Sequence, residues 1–157
     1  MCRGRGQNKD QRERRVIPVG IKITRDLLSE YRDMQKKRII PILELELKDM
    51  ERGDNGLGNS IVNDYRTGQA RPQSIVGFDR KLHKKRLEEL ESKKDKAKAV
   101  EQWMESIEDG QTRYVFKRFY KDTMEWDKIA VKIGYAESPD YPRLHIRDEY
   151  LKKIGLL

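Results

Sequence analysis

The apolar positions in the first third of the chain repeat at helical spacing. One face of the predicted helix is apolar and consists of Leu28, Tyr31 and Met34. This spacing is typical of an amphipathic helix, and Thr24 is a suitable N-cap for it. Pro41 interrupts the helical region 24–52, where it either kinks one helix or begins a second, over 42–52. The apolar run 39–47 could form a strand, but strong helix formers flank it and favour a helix.

A second long helix is predicted over 79–108, where the apolar positions repeat every seven residues. They are Leu90, Ala97 and Met104, with Val100 and Ile107 forming a second, offset series. A seven-residue repeat predicts a coiled-coil seam. Two long helices in succession predict an antiparallel helical hairpin, and self-association of the chain is the alternative.

The segment between these helices, 53–77, is predicted to be a long loop because it contains five glycines and a proline. Residues 60–65 could form a short helical turn or an extended piece. A loop of this length is uncommon unless it has a role. Arg66 and Arg71 suggest contact with phosphate or protein, and a structured connector is the alternative. The glycine spacing does not match a phosphate-binding motif.

The last 48 residues, 110–157, have the pattern of a helix-turn-helix with three helical stretches, over 112–120, 124–134 and 141–154. The second stretch has an apolar face that consists of Trp126, Ile129, Ala130 and Ile133. We expect Trp126 and Ile129 to be buried together with Phe116. Asp122 or Thr123 can cap this helix, and Gly134 can end it in a left-handed conformation.

The third stretch of this unit can begin at Pro139 or at Pro142, since proline fits the first turn of a helix. In helix-turn-helix proteins this is the helix that enters the major groove. The predicted DNA-binding residues therefore lie on it, and they are Tyr141, Arg143, Leu144, Arg147, Lys152 and Lys153.

Arg143 and Arg147 are one helical turn apart, so both can point towards base edges, and arginine is well suited to a bidentate contact with guanine. Lys152 and Lys153 lie further along and are expected to contact the DNA backbone. Two alternatives stay open. The unit could be an ordinary three-helix domain, and the arginines could merely pair on its surface with Asp140, Asp148 or Glu149.

Composition and charge favour a polyanionic partner. The chain has 157 residues, a net charge of +8 and a high share of charged residues, 39%, against 36% hydrophobic ones. This composition suits long solvated helices, and a basic excess favours nucleic acid. No apolar run is long enough to span a membrane, so no membrane partner is expected. The single cysteine, Cys2, excludes an intramolecular disulfide and suits a reducing cytoplasm.

Residues 1–22 are predicted to form a flexible basic arm that grips phosphate or a minor groove, with a solvated tail as the alternative. The chain shows no catalytic constellation. His83 and His145 are its two histidines, and neither has a partner at metal-ligand spacing. We therefore expect no enzymatic activity and no cofactor.

The run 107–120, followed by 124–130, resembles the C-terminal part of phage late-gene transcription activators of the RinA/ArpU type. Gly134-Tyr135 and the stretch 150–153 are similar to the ending of those proteins. The resemblance implies a helix-turn-helix similar to region 4 of bacterial sigma factors. It also implies sequence-specific binding upstream of phage late genes and contact with host RNA polymerase.

The predicted fold is all-α, a long helical hairpin (23–109) followed by a C-terminal helix-turn-helix domain (110–157). The predicted function is regulation of phage or prophage late genes by binding double-stranded DNA in the cytoplasm of a bacterial host. The alternative is a small terminase subunit, which binds DNA for packaging and assembles into a ring. A purely structural coiled-coil protein, without salt-dependent affinity for DNA, is a third possibility.

Overall fold

The computed structural model describes residues 20–52, 57–64, 68 and 71–157, with the backbone alone for 57–64 and 71–78. Most of the described chain is helical, which confirms the predicted fold class. The elements are α1 (Arg25–Lys37), α2 (Ile39–Arg52), β1 (Leu57–Asp64), β2 (Arg71–Phe78), α3 (Arg80–Glu105), α4 (Gly110–Phe116, continued by the π-helical Lys117–Lys121), α5 (Trp126–Lys132) and α6 (the π-helical Pro142–Asp148, then Glu149–Lys153). Most of the predicted basic arm lies outside the described residues, but Ile21 already packs against the core.

The N-terminal helical region consists of two helices rather than one kinked helix. The Thr24 hydroxyl accepts a hydrogen bond from the Leu27 backbone N–H at 3.1 Å and caps α1 as predicted. The chain then breaks at Arg38, whose φ of 51° ends α1 in a left-handed conformation. Pro41 lies in the first turn of α2, where its missing N–H costs nothing. Pro41 therefore marks a second helix, and that helix begins at Ile39.

The predicted loop 53–77 instead contains a two-stranded antiparallel hairpin, which corrects the sequence prediction. Strand β1 pairs with β2 in a register that runs from Leu57 opposite Phe78 to Asp64 opposite Arg71. Of the two conformations predicted for residues 60–65, the extended one is therefore confirmed for 60–64. Each strand carries an Ile-Val pair, and such β-branched residues favour extended backbone. The many glycines concealed this signal.

Helices α2 and α3 form the predicted antiparallel hairpin. Their contact is apolar and involves Leu43, Leu47, Met50 and Leu90. Lys94 pairs with Glu44 at 2.5 Å and His83 with Glu51 at 3.3 Å, so the two helices run in opposite directions. The predicted seven-residue repeat of apolar positions is also confirmed, because its five residues are all buried: Leu90, Ala97, Val100, Met104 and Ile107.

The main core crosses the predicted domain boundary at 109/110. Its buried residues come from α1, α3, the connection after α3, α4 and α6, and include Leu28, Tyr31, Val100, Met104, Ile107, Phe116, Tyr120 and Leu151. The Tyr31 hydroxyl donates to the Glu101 carboxylate at 2.9 Å and so ties α1 to α3. Burial, together with that carboxylate, raises the pKa of Tyr31, which keeps it a donor. The C-terminal unit therefore shares its hydrophobic core with the helical hairpin.

Asp109 starts the C-terminal unit as the N-cap of α4. Its carboxylate accepts from the Thr112 backbone N–H at 2.8 Å and from the Thr112 hydroxyl at 2.6 Å. The Thr112 hydroxyl, followed by the Thr112 backbone N–H, lowers the pKa of Asp109. A lowered folded pKa means that the cap contributes stability above the unfolded value of about 3.9 and loses it as the pH falls through the folded value.

We expect Asp109→Ala to lower the free energy of unfolding by about 1 kcal/mol at neutral pH, because the α4 N–H groups lose their acceptor. The difference from the wild type should shrink as the pH falls below about 4, since the wild-type carboxyl is then increasingly protonated. Urea denaturation at several pH values measures both effects. The neighbouring Glu108→Ala is the control. An Asp109→Ala loss that is constant with pH would contradict the capping role.

Candidate nucleic-acid interface

Helix α5 begins at Trp126, with Glu125 as its N-cap, and not at the capping residues that the sequence predicted. The Asp122 carboxylate is taken by Arg118, which pairs with it at 2.6 Å. Thr123 has a φ of 55° and lies in the tight turn between α4 and α5. Asp122 and Thr123 thus form the turn at the end of α4 instead of capping α5, and α5 begins later, at Trp126.

A small apolar cluster holds α5 between α4 and α6. Its buried members are Val115, Ile129 and Ile146. Ala130 is also fully buried, which confirms the predicted inner side of α5, while Trp126 and Ile133 lie half-buried at its edge. Phe116 belongs to the main core instead, and the ring that contacts Trp126 is Phe119. The prediction that Trp126, Ile129 and Phe116 share one cluster is therefore wrong.

The turn between α5 and α6 begins at Gly134, whose φ is +88° as predicted. The Gly134 N–H donates a hydrogen bond to the Val131 carbonyl oxygen at 3.3 Å, and the Tyr135 N–H donates one to the Ala130 carbonyl oxygen at 2.8 Å. These two bonds are typical of a helix that ends at a glycine. Nine residues, 133–141, separate the helices, whereas a helix-turn-helix usually has three or four. The ring of Tyr135 stacks on that of Tyr141 at 3.8 Å and ties this long turn to α6.

Helix α6 starts at the second of the two predicted prolines. Pro142 lies in its first turn and is buried, and Tyr141 precedes it. The segment Pro142–Asp148 is π-helical, a wider winding than the α-helix. Arg143 and Arg147, which were expected to point the same way, both lie on this segment.

Arg143 and Arg147 have different surroundings. Arg143 is exposed and pairs with Asp140 at 3.0 Å. Arg147 is only 16% exposed and pairs with Asp148, itself 16% exposed, at 2.7 Å. The Arg147 guanidinium also lies beside Tyr120, where it opposes the burial that raises the pKa of that tyrosine. Both arginines thus make the acidic pairs that the sequence left open, and only Arg143 lies at the surface.

Arg147 belongs to a cluster of cations and aromatic rings that joins α6 to the rest of the protein. Its guanidinium lies 5.0 Å from the centre of the Trp126 ring and 5.7 Å from that of Phe119, and the two rings stack on each other at 3.9 Å. The guanidinium of Arg32 from α1 lies 4.2 Å from the centre of Phe119. Arg32 also donates to the Phe119 carbonyl oxygen at 3.2 Å. Cations over aromatic faces are attracted to them, so this cluster fixes the position of α6.

The surface of α6 exposes several of the predicted DNA-binding residues. Leu144 is 46% exposed, and Lys152 and Lys153 are exposed near the C-terminal end. Tyr141 is half-buried by its stack with Tyr135. The structure adds His145, which is exposed beside Leu144 and contacts Glu149 at 3.2 Å. In the sequence, the only indication that His145 belongs to the site was its position one residue after Leu144.

Two further cations were missed on α5. Lys128 and Lys132 are exposed and four residues apart, so they occupy one side of the helix. Neither makes an ion pair with any side chain in the described part of the chain. Their spacing was visible in the sequence, but their exposure depends on which side of α5 is covered. The candidate site therefore combines exposed apolar and basic side chains on α6 with two exposed lysines, Lys128 and Lys132, on α5.

No protein-family model matches the chain, and no curated protein or solved structure is significantly similar to it. In the described ranges no helix is long and apolar enough to cross a membrane.

Proposed function

We propose that this protein binds double-stranded DNA in a sequence-specific manner through α5 and α6. The observation that carries the proposal is the exposed surface of α6, where Leu144 and Arg143 lie near the N-terminal end and Lys152 and Lys153 near the C-terminal end. A helix that enters the major groove presents its N-terminal residues to base edges. The net charge of +8 supports a polyanionic partner.

The base-reading residues in this proposal are Arg143, Leu144 and His145. Arg143 can exchange its surface pair with Asp140 for a bidentate contact with guanine, since an exposed pair is weak. Leu144 offers an apolar contact for the methyl group of thymine, and the His145 ring offers a hydrogen bond. Arg147 is left out of this set, because its guanidinium is held inside the unit.

The remaining cations are suited to the DNA backbone. Lys128 and Lys132 on α5, with Lys152 and Lys153 on α6, flank the exposed N-terminal part of α6 in the chain. Contacts with phosphate position a protein on DNA and carry no sequence information directly. Replacing one of these lysines should therefore weaken binding to all sequences alike.

We expect affinity for duplex DNA to fall steeply with salt, because each phosphate contact releases counterions. Four lysine contacts give a slope of roughly −3.6 in log K against log salt, which is about a hundred-fold loss between about 50 and about 200 mM salt. Fluorescence anisotropy with a random-sequence duplex measures this slope. Lys132→Gln should make it less steep by about 0.9. A flat salt response of the wild type would reject DNA binding.

Specific recognition is tested by selecting duplexes from a random library and comparing them with unselected DNA. We expect Arg143→Ala to weaken binding to the selected duplex by roughly 5- to 150-fold, as about 1–3 kcal/mol of discrimination for a bidentate contact implies. Binding to unselected DNA should change little. Equal losses on both duplexes would mean that a different surface reads the bases.

We further propose that the DNA-binding activity serves transcription of phage or prophage late genes, as the resemblance of the C-terminal third implies. Contact with host RNA polymerase belongs to the same proposal. The competing assignment, a small terminase subunit, predicts a ring of subunits, whereas a regulator is expected to be a monomer or a dimer. Light scattering of the purified full chain distinguishes the two.

A further inference from the structure

The first two turns of α3 present a concentrated group of exposed cations. Its members are Arg80, Lys81, Lys84 and Lys85, which we call the α3 basic patch. They cover the side of α3 that faces away from Leu90, the α3 residue buried against α2. The acidic side chains of Glu88 and Glu91 follow and bound the patch.

The α3 basic patch has little internal compensation. Lys84 makes a long pair with Glu88 at 3.9 Å, and the other three cations form no ion pair with any side chain that the structure describes. The first turn of α3 contains no acidic residue, although cations there are disfavoured by the helix dipole. The backbone N–H groups of Lys81 and Leu82 already donate to Asp79. The patch therefore offers its side chains, not the helix end, to a partner.

Within the patch, Lys85 and Lys81 lie on the same side of α3 as the contact with α6. Lys85 and Trp103 are 18 residues apart, which is five turns of an α-helix. Trp103 is the α3 residue whose ring lies 6.3 Å from that of Tyr150 on α6. At 1.5 Å per residue, Lys85 and Lys81 lie about 27 and about 33 Å from this point along α3. One turn of duplex DNA rises by a similar length, about 34 Å.

The basic N-terminal segment joins the fold next to the same patch. Residues 1–19 contain six basic and two acidic side chains, which is half of the net charge of +8. The described chain begins at Gly20, and Ile21 borders a surface depression on α3 that is lined by Glu88, Glu91, Ser92, Asp95 and Lys96. Ile21 therefore lies about one to three helical turns beyond Lys85 along α3.

We propose that the α3 basic patch is a second DNA-binding surface, which holds the phosphate backbone one helical turn away from the site bound by α6. This inference rests on the proposed DNA binding by α5 and α6, and it extends the contact to a longer stretch of the same duplex. The proposed contacts of the patch are with phosphate groups, so it adds affinity and salt dependence rather than specificity.

The test compares two duplexes, one of about three helical turns and one of about one and a half, at about 10.5 base pairs per turn. For Lys81→Gln/Lys85→Gln in the full chain, we expect the salt slope on the long duplex to become less steep by about 1.8. On the short duplex, centred on the selected site, the slope should match the wild type. Lys81→Arg/Lys85→Arg should retain the wild-type slope on both.

The matched control is Lys36→Gln/Lys37→Gln, which removes the same charge from two exposed positions at the end of α1. If both double variants behave alike on the long duplex, the α3 basic patch is not a DNA-binding surface, and the recognition by α6 stands. If the wild type itself shows no salt-dependent binding to either duplex, both the proposed function and this inference are wrong.

Discussion

Replacing Trp126 by alanine is expected to lower the free energy of unfolding by about 3 kcal/mol. Truncation of a buried tryptophan typically costs about 3–5 kcal/mol, and Trp126 is half-buried, which favours the lower end. The loss has two components: the ring stacked on Phe119 at 3.9 Å, and the ring face that attracts the Arg147 guanidinium at 5.0 Å. Equilibrium denaturation in urea, followed by circular dichroism, measures the change.

The control for this prediction is Trp126→Phe, which keeps an aromatic ring next to Phe119 and Arg147 and should lose less than half as much. Because the main core joins the C-terminal unit to α1 and α3, we also expect one unfolding transition for both parts. An unchanged stability of Trp126→Ala would show that the stack does not hold α5. Two separate transitions would show that 110–157 folds independently.

Replacing Arg147 by alanine is expected to destabilise the protein by about 2–3 kcal/mol and to weaken binding to specific and non-specific DNA equally. The substitution leaves Asp148, which is mostly buried, without its cation, and breaking a fully buried pair costs about 3–5 kcal/mol. The 16% exposure of both side chains lowers that figure. Arg147→Lys keeps the charge but loses the planar group that lies over Trp126, so it should rescue only part of the loss.

Arg143→Ala is the matched comparison on the same helix. Its exposed side chain pairs only at the surface, so the free energy of unfolding should change by less than about 0.5 kcal/mol while specific binding falls. Measuring stability and both affinities for the two variants separates their roles. If Arg147→Ala is as stable as the wild type and weakens binding only to the selected duplex, then Arg147 is a base-reading residue.

The sequence alone determined which segments are helical and several of their ends. The spacing of Leu90, Ala97 and Met104, the Thr24 cap and the left-handed Gly134 depend on neighbours a few residues away, and the structure agrees with each. The hairpin of β1 and β2 was missed, because the glycines and the proline around its Ile-Val pairs are typical of a loop.

The tertiary structure alone decided which cations of the C-terminal unit are available to DNA. Arg143 and Arg147 are alike in the sequence, but the guanidinium of Arg147 lies against the rings of Trp126 and Phe119, whereas Arg143 pairs at the surface. The same holds for the shared core, since Leu151 meets α1 and α3 across most of the chain length. Local spacing determines where a side chain lies on its own helix, whereas its exposure depends on helices that arrive from distant parts of the sequence.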